Sequence, residues 1–81
     1  MLNLLIIEPA GTCFKGEVES VTLPSKSGRF TVFPHHAPVI SLLEKGDIVY
    51  HKKGSSGIDK LSVKGGVAQI SENNITLCIE Y

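Results

Sequence analysis

Apolar and polar residues alternate with a period of two along much of this 81-residue chain. The last run shows it most cleanly, with Ile75, Leu77, Ile79 and Tyr81 on one face and Thr76, Cys78 and Glu80 on the other. Phe30 and Val32 alternate with Arg29 and Thr31, and Leu61 and Val63 with Lys60 and Ser62. Such runs are rich in Val, Ile, Thr, Phe and Tyr, which suit a pleated, half-buried surface. Between them stand turn signals at Pro9-Ala10-Gly11, Ser25-Lys26-Ser27-Gly28, Pro34 to Pro38, Lys45-Gly46-Asp47, Gly54 to Gly57, Gly65-Gly66 and Glu72-Asn73-Asn74. After the first gap they recur about every 8–12 residues, the spacing of a β-sandwich or barrel.

Two segments depart from simple alternation. Val21 and Leu23 share a face, but Val18 falls on the other side unless one extra residue near Glu19-Ser20 forms a β-bulge. Leu2 to Ile7 is apolar on both faces apart from Asn3, which predicts a strand covered on both sides. No segment sustains a helical period. The nearest is Val39 to Lys45, only two turns long and opening after Pro38. With no repeat, linker or low-complexity tract, residues 1–81 read as a single all-β domain.

Composition narrows the function. The chain carries 8 Lys plus Arg against 8 Asp plus Glu, a formal net charge of zero. That balance argues against a dedicated nucleic-acid module or a polybasic membrane anchor. Apolar residues make up 42% of the chain, enough for a globular core. A domain of this size buries only about 60% of the surface it exposes unfolded, so metals, disulfides or a partner often support it. Two cysteines are too few for a disulfide framework, which leaves a partner. Leu2 to Ile7 is too short for a signal peptide, and no run approaches the roughly 20 apolar residues that cross a bilayer. The expectation is an unprocessed chain, neither secreted nor inserted in a membrane, with reduced thiols.

Few residues offer chemistry. His35 and His36 are adjacent and face opposite ways on a strand, and Cys13 and Cys78 lack a second ligand at zinc-site spacing. Core thiols and surface imidazoles are the ordinary reading, with no metal site. No motif singles out a nucleophilic serine, since most serines fall in turns, where the hydroxyl bonds the local backbone. Gly54-Ser55-Ser56-Gly57 is a hairpin tip, not a phosphate loop, because no Lys-Ser or Lys-Thr and no helix follow it. Lys64 before Gly65-Gly66 is compatible with a biotinyl or lipoyl carrier domain, which presents a modified lysine at a hairpin tip. The flanks Val63 and Gly65 do not resemble those the modifying enzymes read.

The segment Gly28 to Val39 is unusual. Pro34 and Pro38 bracket a short step between apolar runs, fix φ and push the preceding residues toward extended geometry. The result is a stiff corner that does not pair as a central strand, suited to a protein partner because little entropy is lost on docking.

That segment also carries a resemblance. Gly16-Glu17-Val18-Glu19-Ser20-Val21-Thr22-Leu23-Pro24 is followed by Gly28-x-Phe30-x-Val32-x-Pro34-x-His36-Ala37-Pro38. Gly65-Gly66-Val67 and Asn74-Ile75-Thr76-Leu77 then follow in order. Together they resemble the N-terminal domain of the epsilon subunit of F-type ATP synthases, the delta subunit in mitochondria, from Leu2 to Glu80. The resemblance implies a flattened β-sandwich of about ten short strands. It implies a non-catalytic rotor part without cofactor, packed on the gamma subunit and the polar loops of the c-ring. Its place would be the cytoplasmic face of the bacterial inner membrane, held there only through the complex. Family members commonly continue into a helical hairpin that restrains hydrolysis and in some species binds ATP. This chain stops at Tyr81, so neither property is expected of it. By the same resemblance, Ser27, Gly28 and Arg29 match the part that touches the c-ring, and His36, Ala37, Ser41 and Glu8 match gamma-side positions. Arg29 stands where many members carry an acidic residue, and His35 where many have glycine.

Overall fold

A computed structural model describes residues 1–80. Its eight strands are β1 (Leu2–Glu8), β2 (Gly11–Leu23), β3 (Phe30–Val32), β4 (Val39–Leu43), β5 (Gly46–Lys52), β6 (Asp59–Val63), β7 (Gly65–Ser71) and β8 (Asn74–Glu80). They follow the order β4-β7-β8-β1-β2-β5-β6, with β3 added beside β2. The count is eight, not about ten. The reason is that β2 is one continuous strand of 13 residues that serves several neighbours. Its first part pairs with β1, and its last part lies between β3 and β5. The sheet curls around this long strand, and a bridge from Ser25 to Leu43 brings β4 back toward it. The molecule measures 28 × 25 × 19 Å, flattened as two packed layers require.

Fifteen buried side chains fill the space between the layers, drawn from every strand. Ile75, Leu77 and Ile79 are among them, as the alternation predicts. Tyr81, assigned to the same face, lies outside the described residues. The bulge is present: the β2–β5 register shifts between Val18 and Ser20, and both Val18 and Val21 are fully buried. A second irregularity in the β1–β2 register, between Ile6 and Ile7, passes over Cys13.

Several expectations need correction. β1 is not covered on both sides. Leu2, Leu4 and Ile6 are buried, while Leu5 and Ile7 are half-buried on the outer face and Asn3 is exposed. Gly65-Gly66 is not a turn but the opening of β7, and at Lys64 the chain bends without reversing, so that β6 and β7 run in the same sense. Gly66 is there because β8 passes so close that a Cβ would strike the Cys78 carbonyl oxygen. Cys13 and Cys78 are surface thiols, since Cys78 falls on the outer face of β8 and Cys13 at the irregular end of β2. Lys64 is not at a hairpin tip, because β6 and β7 are not neighbours in the sheet.

On the β2–β5 side, the Phe14 and Tyr50 rings pack 4.7 Å apart, with Lys52 Nζ 5.6 Å from the Phe14 centroid. Burial, then the negative charges of Asp59 and Cys13, raise the Tyr50 phenol above its ordinary range. The folded state thus resists its ionisation. Its contribution to stability is intact below the ordinary phenol pKa and lost as pH rises beyond it through the folded value.

Candidate functional site

Two surface features stand out, and both are set by β4. The first is the segment from Pro24 to Arg29, which includes the turn Ser25-Lys26-Ser27-Gly28 marked by the sequence. Its base is clamped. Pro24 and Ser25 are buried, and Gly46 packs so closely on Pro24 that a Cβ there would lie 2.8 Å from the proline ring. Lys26 N–H donates to Leu42 O at 2.9 Å, and Glu44 N–H donates to Pro24 O at 2.8 Å. These two bonds attach the turn to β4 from both sides. Gly28 N–H closes the turn on Ser25 O at 3.0 Å, and Gly28 itself takes φ 124°, a region that side chains avoid. Arg29 reaches across to the Asp47 carbonyl with Nη1 at 3.0 Å. Ser27, Gly28 and Arg29 are therefore exposed on a fixed platform.

At the centre of the clamp is Ser25, the one buried polar residue among those described, with 3% of its surface exposed. Its hydroxyl oxygen lies 2.7 Å from Ser41 Oγ and 3.0 Å from Ser27 Oγ, and it accepts from Ser27 N–H at 3.3 Å. Ser41 thus spends its hydroxyl on the clamp, which joins it to the Ser27 turn. Ser25 was not distinguishable in the sequence from the other turn serines. Its signal is only the Pro-Ser-x-Ser spacing. Ser25→Ala should cost about 1–3 kcal/mol, since two hydroxyls lose a partner in a half-buried site. Urea unfolding reads that cost, and faster amide exchange at Ser27 with β1 unchanged localises it.

The second feature is an apolar outer face. Leu42, Val67, Cys78 and Ile7 stand in one cross-strand row, and Ile40, Gln69, Thr76 and Leu5 stand in the next. Ile40 is 70% exposed, Leu42 57% and Val67 39%. Phe33, 60% exposed, follows β3 just before the proline corner. Isolated apolar residues on a surface are ordinary, but Ile40, Leu42 and Val67 join the half-buried Leu5 and Ile7 in a patch, interrupted by Gln69 and Thr76, of the kind that suits an interaction surface. Sequence reasoning missed Ile40, Leu42 and Val67. The second apolar face of β1, with Leu5 and Ile7, was the available signal.

The corner from Pro34 to Pro38 borders β4 at its start. His35 takes φ 67°, and its N–H donates to Asn73 Oδ1 at 2.8 Å, so the β7–β8 turn holds the corner in place. His36 Nδ1 lies 2.7 Å from Ala37 O. A carbonyl only accepts, so Nδ1 carries the proton. His36 is half-buried, with its ring 6.2 Å from that of Phe30, and Ala37 is exposed. Glu8 ends β1 beside the Cys78 end of β8, whereas the corner sits at the Asn73 end. The structure therefore unites Ser27, Gly28, Arg29 and Ser41, sets His36 and Ala37 at one edge of the apolar face, and puts Glu8 on its flank near Cys78, away from the corner. His51 approaches Glu19 at 3.8 Å on another surface. Among the described residues no three His, Cys, Asp or Glu side chains cluster as metal ligands.

A family model described as the β-sandwich domain of the ATP synthase delta/epsilon chain matches residues 1–80. The ATP synthase epsilon chain of Desulfitobacterium hafniense (strain DSM 10664 / DCB-2) is 36% identical over 75 residues. That match takes in 93% of this chain and 55% of the relative. The epsilon chain of Leptospira borgpetersenii serovar Hardjo-bovis (strain JB197) is 31% identical over 80 residues, covering 99% of this chain and 61% of the relative. The chain thus spans little more than half the length of these relatives. A chain in the cryo-EM structure of Euglena gracilis mitochondrial ATP synthase (OSCP/F1/c-ring) superposes with a TM-score of 0.90 at 18% identity. That match covers 99% of this chain and 51% of the other. A chain of the Tetrahymena thermophila central stalk and c-ring superposes with a TM-score of 0.78 at 14% identity, covering 99% and 63%. At those identities the likeness is one of fold.

Proposed function

We propose that this chain, which belongs to the ATP synthase delta/epsilon β-sandwich family, acts as a non-catalytic part of the rotor's central stalk. In this reading residues 1–81 form one domain that packs on the gamma subunit and stands on the polar loops of the c-ring. It couples ion translocation to ATP synthesis by contact alone and performs no chemistry. The complex holds it, as a peripheral part, at the cytoplasmic face of a bacterial membrane.

The observation that carries the reading is the pair of surfaces that meet at β4. The apolar rows through Ile40, Leu42 and Val67 offer gamma a face whose burial is favourable, with His36 and Ala37 at its edge. The clamped turn offers Ser27, Gly28 and Arg29 to the c-ring in a geometry that needs no further ordering. Ser41 acts through the clamp, and Glu8 lies along the flank of the face near Cys78. The carrier reading requires Lys64 at a hairpin tip, and the sheet order does not place it there.

The test is calorimetric titration of this chain with gamma from the same organism. Ile40→Asp with Leu42→Asp should weaken binding by about a hundredfold or more, because two central contacts at about 2 kcal/mol each are replaced by buried charge. Both positions are exposed, so the free variant should stay folded. Ala37→Trp should also weaken binding, while Ser55→Trp on the β5–β6 hairpin should not. Equal affinity for all four proteins, or no binding by the native chain, would sink the reading.

A further inference from the structure

Leu42 and Val67 have a second neighbour besides the apolar rows. Past them, toward the Gly65 end of β7, the surface dips into a concavity of about 460 Å³. Three lysines from three separate elements line it: Lys26 from the clamped turn, Lys45 from the bend between β4 and β5, and Lys64 from the bend between β6 and β7. Two of them rise from tethered backbone. Lys26 N–H is bonded to Leu42 O, and Lys64 N–H donates to Glu80 O at 2.7 Å. Glu44 and Glu80 also line the concavity, so three positive charges face two negative ones. The ion pairs among the described residues join His51 to Glu19, Lys52 to Asp59 and Lys53 to Glu17, all involving β2, β5, β6 or the hairpin after β5. None uses Lys26, Lys45 or Lys64.

We infer that this concavity receives an acidic peptide segment of the same partner that lies on the apolar face. Two features favour a peptide over a phosphate or an anionic headgroup. Glu44 and Glu80 repel a compact multivalent anion placed among the lysines, whereas a peptide can set each carboxylate beside an ammonium and turn an amide toward each glutamate. Leu42 and Val67 belong to both surfaces, so a segment crossing from one to the other needs apolar residues followed by acidic ones. Such exposed pairs contribute little affinity each, but they fix orientation and make association sensitive to salt. The inference rests on the proposed stalk role only in taking gamma as the natural source of that segment.

The test uses the full chain, the triple variant Lys26→Ala/Lys45→Ala/Lys64→Ala, and three probes: a short Leu/Glu peptide, phosphatidylglycerol vesicles and purified gamma. In amide spectra, the Leu/Glu peptide should shift Lys26, Lys45, Lys64 and Leu42 of the native chain and leave the triple variant unshifted. Spectra of the free proteins, matching outside the substituted turns, establish that the variant is folded. At low salt the triple variant should bind gamma about tenfold more weakly than the native chain, with the gap narrowing at high salt. Peptide shifts that persist in the variant, no shifts in the native chain, or shifts with vesicles alone would overturn the inference. If gamma binds both proteins alike, the inference fails while the stalk reading survives. If gamma binds neither but the peptide shifts appear as described, the stalk reading fails and the acidic-segment site stands with another partner.

Discussion

Gly66→Ala should cost the fold about 2–5 kcal/mol, while Gly57→Ala leaves stability nearly unchanged. At Gly66 a Cβ would collide with the Cys78 carbonyl oxygen and sit 3.0 Å from Ile79 Cα and 3.2 Å from the Cys78 carbonyl carbon. All three atoms are backbone of β8, and Gly66 is paired with Ile79 in the ladder. Neither strand can retreat without giving up neighbouring pairs such as Val67 with Cys78. Overpacking of this kind costs about 1–3 kcal/mol. The φ of 152° adds about 1–2 kcal/mol for a residue with a side chain. Gly57 has open space where a Cβ would stand and no positive φ, so it is a control that lacks both the collision and the strain. Stability at about 0.05–0.15 kcal/mol per residue leaves little margin for such a loss. Urea unfolding followed by far-UV circular dichroism reads the difference. Two variants of equal stability would mean that β7 and β8 are not this close.

Leu77→Ala should destabilise by about 2–5 kcal/mol, and Leu42→Ala by under about 0.5 kcal/mol. Leu77 is fully buried in β8, opposite Ala68 on one side and Ile6 on the other. With small Ala68 already in that row, the remaining side chains cannot close over the space left behind. Leu42 is as large but 57% exposed, so truncating it removes little buried area. On the proposed stalk role, its loss should appear in gamma affinity instead. Thermal unfolding of the two variants separates core from docking face in one experiment. Equal melting temperatures would contradict the assignment of β4's outer face.

Period-two alternation was readable wherever one face is fully buried. Val18 and Val21 declared a bulge because burial on one face forbids any other register. The partner of each strand left no such mark. Periodicity says which face a residue takes, not which strand lies beside it, so the parallel pairing of β1 with β8 was invisible. Gly65-Gly66 misled because glycine signals a tight turn and a close approach equally, and only the Cys78 carbonyl distinguishes them. Ile40 and Leu42 were overlooked because four of the five residues of β4 are apolar, which hides the alternation. The site residues inferred from the resemblance fell at three places: the clamped turn with Ser41, the proline corner, and Glu8 near Cys78. Their supporting hydroxyl, Ser25, was hidden because a serine in a turn ordinarily bonds only its own backbone.

The pairing of β1 with β8 also sets a timetable. Asn3 and Asn74 share a side-chain bond across 71 positions of sequence. A ribosome adding about 5–20 residues each second makes β8 roughly 4–14 s after β1. Through that interval β1 has β2 on one flank and nothing on the other, with Leu2, Leu4 and Ile6 lacking much of their cover. An open edge of this kind pairs readily with other chains, including a neighbour on the same message. Chains truncated just before Asn74 should therefore be captured by chaperones or aggregate, and the 81-residue chain should not.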